Sequence, residues 1–160
     1  MLIKGIIDED FINYKYISMF IALGHCDWKC CIESNIPISV CQNSKLAQEK
    51  DIEVPIDEIF NRYIHNPISK AIVIGGLEPM TMAGKIINLI DHFRNHKCYD
   101  DFIIYTGYYP HEIPSIITEL KKRQNIIIKF GRYIPNAPEY YNEILGVVLT
   151  SNNQYAERIS

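Results

Sequence analysis

Short, wholly apolar runs alternate along this chain with longer stretches in which apolar residues recur at helical spacing. Ile17 to Leu23, Ala71 to Ile74, Phe102 to Tyr105 and Ile126 to Ile128 are strand-sized and almost uninterrupted, which predicts strands buried on both faces. Between them, Val54 to Asn66 carries Ile56, Ile59, Phe60, Tyr63 and Ile64 at helical spacing, with Pro55 near its start and Pro67 just beyond its end. Thr81 to His96 repeats the pattern with Ile86, Ile87, Leu89, Ile90 and Phe93, and Pro110 to Arg123 predicts a third helix. Gly146 to Leu149 reads as a last strand, and the polar stretch Asn43 to Glu53 as a surface connection. Strands and helices alternating in this way predict an α/β fold with a mostly parallel sheet and right-handed crossovers. A closed (β/α)₈ barrel takes about 250 residues, so about five or six strands predict a partial, open barrel.

Composition narrows the function classes. A length of 160 residues suits one domain spanning 1–160, and 48% apolar with 22% charged residues excludes a disordered chain. A net charge of -3 provides no basic stripe for a phosphate backbone, which argues against nucleic acid as a partner. No apolar run approaches the roughly 18 residues of a membrane span, so no membrane partner is expected. Asp8, Glu9 and Asp10 lie where a signal peptide would be apolar, and a cytoplasmic protein with reduced thiols is the expectation.

Position, more than number, makes the cysteines informative: Cys26, Cys30, Cys31 and Cys41 fall within sixteen residues, and Cys98 stands apart. Disulfides suit small secreted domains that lack a core, and structural zinc usually shows paired C-x₂-C spacing, whereas this cluster begins C-x₃-C with no second pair. Adjacent Cys30 and Cys31 cannot both enter one core from a regular strand. Soft thiolates gathered on a loop suit iron and sulfide. Three of them would leave one iron of a four-iron cluster open to a substrate. The spacing leaves Cys31 as a competitor for Cys30, and Cys98, at the end of the second expected helix, reads as packing.

The cysteine loop and three later segments carry a family resemblance. The strand Ile17 to Leu23 leads into Gly24-His25-Cys26, similar to the start of the C-x₃-C-x₂-C loop of radical S-adenosylmethionine (SAM) enzymes. Cys41-Gln42-Asn43 resembles the last cysteine of that loop, although ten residues separate Cys30 from Cys41 where the family has two. Gly75-Gly76-Leu77-Glu78-Pro79 is similar to the family's GGEP segment with one Leu inserted. Tyr105-Thr106-Gly107-Tyr108 and Ser151-Asn152-Asn153-Gln154 resemble segments of the small proteins that activate anaerobic ribonucleotide reductase. Each follows an expected strand, the end at which parallel sheets carry their sites.

The resemblance implies a 4Fe-4S cluster on Cys26, Cys30 and Cys41, with SAM as the second cofactor. Gly75, Gly76, Glu78, Thr106, Lys129 and Ser151 are the cofactor-binding candidates, with Glu78 taking the SAM ammonium and Lys129 or Arg132 its carboxylate. Val40 stands where the family usually has an aromatic near adenine. Trp28 is a candidate shield for the cluster, and His25 is a candidate for tuning it. The implied reaction is reductive cleavage of SAM to methionine and a 5′-deoxyadenosyl radical. The implied partners are a glycyl-radical protein and a reductant such as flavodoxin or ferredoxin. The alternatives are a stand-alone radical SAM enzyme with another substrate and a non-catalytic iron–sulfur or zinc protein.

Overall fold

The apolar runs form the middle of a seven-stranded sheet in the computed structural model, which describes every residue from Met1 to Ser160. The strands are β1 (Leu2–Asp10), β2 (Ser18–Leu23), β3 (Ile52–Glu53), β4 (Ala71–Gly76), β5 (Asp101–Tyr105), β6 (Ile126–Phe130), β7 (Tyr140–Asn142), β8 (Val147–Leu149) and β9 (Tyr155–Arg158). All but β7 and β8 pair in the order β3-β1-β2-β4-β5-β6-β9. Neighbours among β2, β4, β5 and β6 are parallel, whereas β1 runs against β2 and β3, and β9 against β6. Strands β3 and β9 are edges, so the sheet is open and no barrel closes.

Five helices connect these strands: α1 (Lys29–Glu33), α2 (Ser44–Gln48), α3 (Ile56–Ile64), α4 (Ala83–Asn95) and α5 (Pro114–Leu120). From β2 to β6 the chain always steps the same way across the sheet. Right-handed crossovers that step one way place their helices on one face. Accordingly, Ile59, Phe60 and Tyr63 of α3, Ile86, Leu89, Ile90 and Phe93 of α4 and Leu120 of α5 share one core with Ile72, Ile74, Phe102, Ile104, Ile126 and Ile128. The opposite face, with Val73, Ile103 and Ile127, is covered by Tyr14 from the β1–β2 connection and by Leu145 and Leu149 of the β7–β8 hairpin. Burial on both faces explains why the central strands lack polar alternation.

Several elements differ from expectation. The strand expected at Gly146 to Leu149 forms as β8, but it pairs with β7 outside the main sheet. Strands β1 and β9 carry polar residues at many positions and stand at or near the edges, where one-sided burial suffices. The connection Asn43 to Glu53 contains α2 and the two-residue β3, which pairs with β1. The second and third expected helices each begin as a separate 3₁₀ turn, at Pro79–Met82 and Pro110–Glu112. No helix is long and apolar enough to cross a membrane.

Candidate functional site

The C-terminal ends of the parallel strands share one rim. Leu23 pairs with Gly76 and Tyr105 with Lys129, so the loops after β2 and β4, and those after β5 and β6, start side by side. A cleft of about 300 Å³ opens there, with Cys26, Cys30, Cys31 and Cys41 on its walls together with Gly75, Gly76, Glu78, Thr106 and Lys129. Local geometry requires the glycines. Gly76 has φ +84°, and a Cβ on it would stand 2.9 Å from Ala22 Cα, inside the neighbouring strand.

The cysteine loop leaves β2 and turns at Trp28, whose φ of 60° precedes α1. The Trp28 N–H donates to Cys26 Sγ at 3.3 Å. Because α1 is helical, adjacent Cys30 and Cys31 point about 100° apart about its axis. Cys31 is buried and lines the same cleft as Cys41, while Cys30 is half-buried. A helical turn thus resolves the conflict that a strand would have created. Further on, Asn43 Nδ2 donates to Gly76 O at 2.5 Å and ties the inserted segment to the end of β4. Burial pushes the Cys26 thiol up to about 12 and the Cys30 thiol up to about 11, and it raises Cys31 as well.

Glu78 is the polar hub of the rim. It is 6% exposed, and its Oε1 accepts from the Met80 N–H at 3.0 Å and from Thr106 Oγ1 at 2.6 Å. Its Oε2 accepts from the Gly107 N–H at 2.8 Å. Burial raises the Glu78 carboxyl above the usual carboxylate range, while these three hydrogen bonds oppose the rise. A carboxylate has about four lone-pair positions, so about one remains for a ligand donor. Lys129 is buried, with Nζ donating to Gly131 O at 3.0 Å. Burial lowers its ammonium to about 8, against the attraction of Glu78 and Cys30.

The other candidates are placed differently. Ser151 is fully buried, and its hydroxyl accepts from the Ile134 N–H and donates to Ile134 O; it fastens the segment after β6 and does not line the cleft. Gln154 from the same segment does line it. Arg132 is held by Glu112 and Glu33, at 2.7 Å and 2.6 Å, which leaves its guanidinium committed to the protein. The Arg132 hydrogen bond pulls the Glu112 carboxyl far below the usual range. His25 Nδ1 meets Thr81 Oγ1 at 3.0 Å on the surface, and Val40 is exposed. Cys98 packs against the helical core, away from the thiols. Asn43 and Gln154 lie within the Cys41-Gln42-Asn43 and Ser151–Gln154 segments singled out in the sequence, but their contacts, and the partners of Arg132, are distant along the chain and carried no local signal.

No three His, Cys, Asp or Glu side chains are arranged to hold a single metal ion. An iron–sulfur cluster, being a body of several irons, takes its thiolates from wider apart than one ion does. Four soft thiols on the walls of one cleft fit such a group, whose irons would bind them as thiolates. No curated protein and no solved structure matches this chain. The model of the 4Fe-4S single cluster domain family matches residues 17–154, a span that includes all five cysteines and the four parallel strands, and the chain belongs to that family.

Proposed function

We propose that this chain is a radical SAM enzyme of the activating type. It holds one 4Fe-4S cluster on Cys26, Cys30 and Cys41 and cleaves SAM to act on a glycyl-radical partner such as anaerobic ribonucleotide reductase, with flavodoxin or ferredoxin as the electron donor. The observation that carries this reading is that the three thiols line the same cleft as Gly75, Gly76, Glu78, Thr106 and Lys129. When bound, the cluster supplies one electron to the SAM sulfonium; the chain supplies position, charge and exclusion of water. Thr106 and Gly107 fix the Glu78 carboxylate so that its remaining lone pair takes the SAM ammonium. Lys129, on the same walls, sets a positive charge for the carboxylate, and Gly75 and Gly76 let the ligand approach the backbone closely. Ser151 contributes by holding the segment after β6 in place.

The test is anaerobic reconstitution followed by SAM and a reductant, with 5′-deoxyadenosine as the readout. Formation of 5′-deoxyadenosine is expected. About four irons bound per chain with no 5′-deoxyadenosine would refute the catalytic reading. One observation favours a second reading: Cys31 lines the same cleft, and a fourth thiolate would close the open iron and make an electron-transfer protein. Under that reading Cys31→Ala loses the cluster; under the first it does not.

A further inference from the structure

The helix that carries Cys30 is short, and its own hydrogen bonds cannot hold it in place. Helix α1 has five residues, and isolated helices below about 12 residues are marginal in water. It has no side-chain cap at its start. What fastens it is ionic. Arg132, only 6% exposed at its side chain, sends Nη2 to Glu33 Oε1 at 2.9 Å and Nε toward Glu33 Oε2 at 2.6 Å. The same guanidinium donates to both oxygens of Glu112, at 2.7 Å and 2.8 Å. Glu112 in turn meets Lys29, at the start of α1. Both ends of the helix are therefore tied to one buried arginine–carboxylate pair.

The same arginine reaches the wall that Cys30 touches. Arg132 Nη1 donates to Gly107 O at 3.2 Å. A Cβ on Gly107 would stand 2.8 Å from Cys30 Sγ, so the thiol lies against bare backbone there. Glu33 follows Cys30 by three positions and shares its side of the helix. The guanidinium thus spans from the face of α1 that carries Cys30 to the strand-end loop on which the thiol rests.

We propose that Arg132, acting through Glu112, Glu33 and Lys29, is a positioning residue that clamps α1 onto the rim and holds Cys30 at the place where it binds the cluster. This rests on the cluster-binding property of the family and on Cys30 as a ligand, and it does not require SAM cleavage. Arg132 and Glu112 sit in the loops after β6 and β5, distant along the chain from Cys30, and the ion pairs with Glu112 and Glu33 exclude Arg132 from binding a substrate carboxylate at the same time.

The test compares reconstituted wild type with Arg132→Gln, Arg132→Lys and the double variant Glu33→Ala/Lys29→Met. The double variant cuts the ties to α1 and leaves the buried Arg132–Glu112 pair intact, which keeps the rest of the fold. The readouts are the rate at which a strong iron chelator removes iron and the electron paramagnetic resonance spectrum of the reduced cluster. Arg132→Gln is expected to release iron about tenfold faster, which corresponds to about 1.4 kcal/mol. The double variant is expected to release it about fivefold faster with unchanged circular dichroism, and both spectra should broaden or shift. Arg132→Lys restores the charge without the fork and should recover only part of the retention. Release rates and spectra equal to those of wild type in the double variant would overturn the proposal. Because neither readout involves SAM, a protein that makes no 5′-deoxyadenosine still tests the clamp.

Discussion

Replacing Glu78 tests whether the rim is held together as its hydrogen bonds indicate. In Glu78→Ala, the Met80 and Gly107 N–H groups and the Thr106 hydroxyl all lose their acceptor at once. Each buried donor left without a partner costs about 1–3 kcal/mol, and water entering from the cleft keeps each near the low end, for a total of about 3 kcal/mol. Glu78→Gln keeps one acceptor oxygen, for Met80 and Thr106, but turns an amide NH₂ toward the Gly107 N–H, for a loss of about 1 kcal/mol. The assay is urea unfolding of the iron-free chain. With a slope of about 2 kcal/mol/M, the midpoint should fall by about 1.5 M for Glu78→Ala and about 0.5 M for Glu78→Gln, with the slope unchanged. Thr106→Val in a double-mutant cycle with Glu78→Ala should show coupling of about 1 kcal/mol. A Glu78→Ala midpoint within about 0.2 M of wild type would refute the reasoning and leave Glu78 as a group used only by a ligand.

Two further outcomes are expected. Lys129 is held at about 8 in the fold against an ordinary 10.5, so its burial opposes folding below about pH 8 and is relieved as the pH climbs to 10.5. Wild type should therefore gain on Lys129→Met by up to about 3 kcal/mol across that window, and a constant difference between their pH–stability curves would contradict the burial. Gly76→Ala places a Cβ 2.9 Å from Ala22 Cα at a φ of +84°, and the resulting strain of about 2 kcal/mol should lower the calorimetric melting temperature by about 4–8 °C; no measurable drop would show that β2 and β4 can part at little cost.

The parallel centre of the sheet was legible because its signal is local. A strand covered on both faces must be apolar at every position, and Ala71 to Ile74, Phe102 to Tyr105 and Ile126 to Ile128 each meet that condition within a few residues. Since parallel strands end on a common rim, the order of the segments after them was enough to expect Cys26, Glu78 and Thr106 on one side of the sheet, and all three line the cleft. The edge strands were not legible in the same way. β1 reads Leu-Ile-Lys-Gly-Ile-Ile-Asp-Glu-Asp, a mixture that becomes a strand through pairing with β2 and β3.

Whatever depends on contact between distant residues was decided by the tertiary structure alone. Gly146 to Leu149 is a strand by propensity, but its pairing with β7 and its burial of Leu149 against the sheet follow from how the chain returns. Adjacent Cys30 and Cys31 gain different surroundings because α1 is helical and lies against the rim. Lys129 could have been a solvated strand end, yet in the fold it is buried, shares the cleft with Glu78 and donates from Nζ to Gly131 O. Arg132 was a candidate for a ligand carboxylate in the sequence, but folding brings Glu33, Glu112 and Gly107 around it. Periodicity records which face of an element is dry; it carries no record of which charged or thiol groups meet across the fold, because those meetings are set by the pairing and packing of elements far apart in the chain.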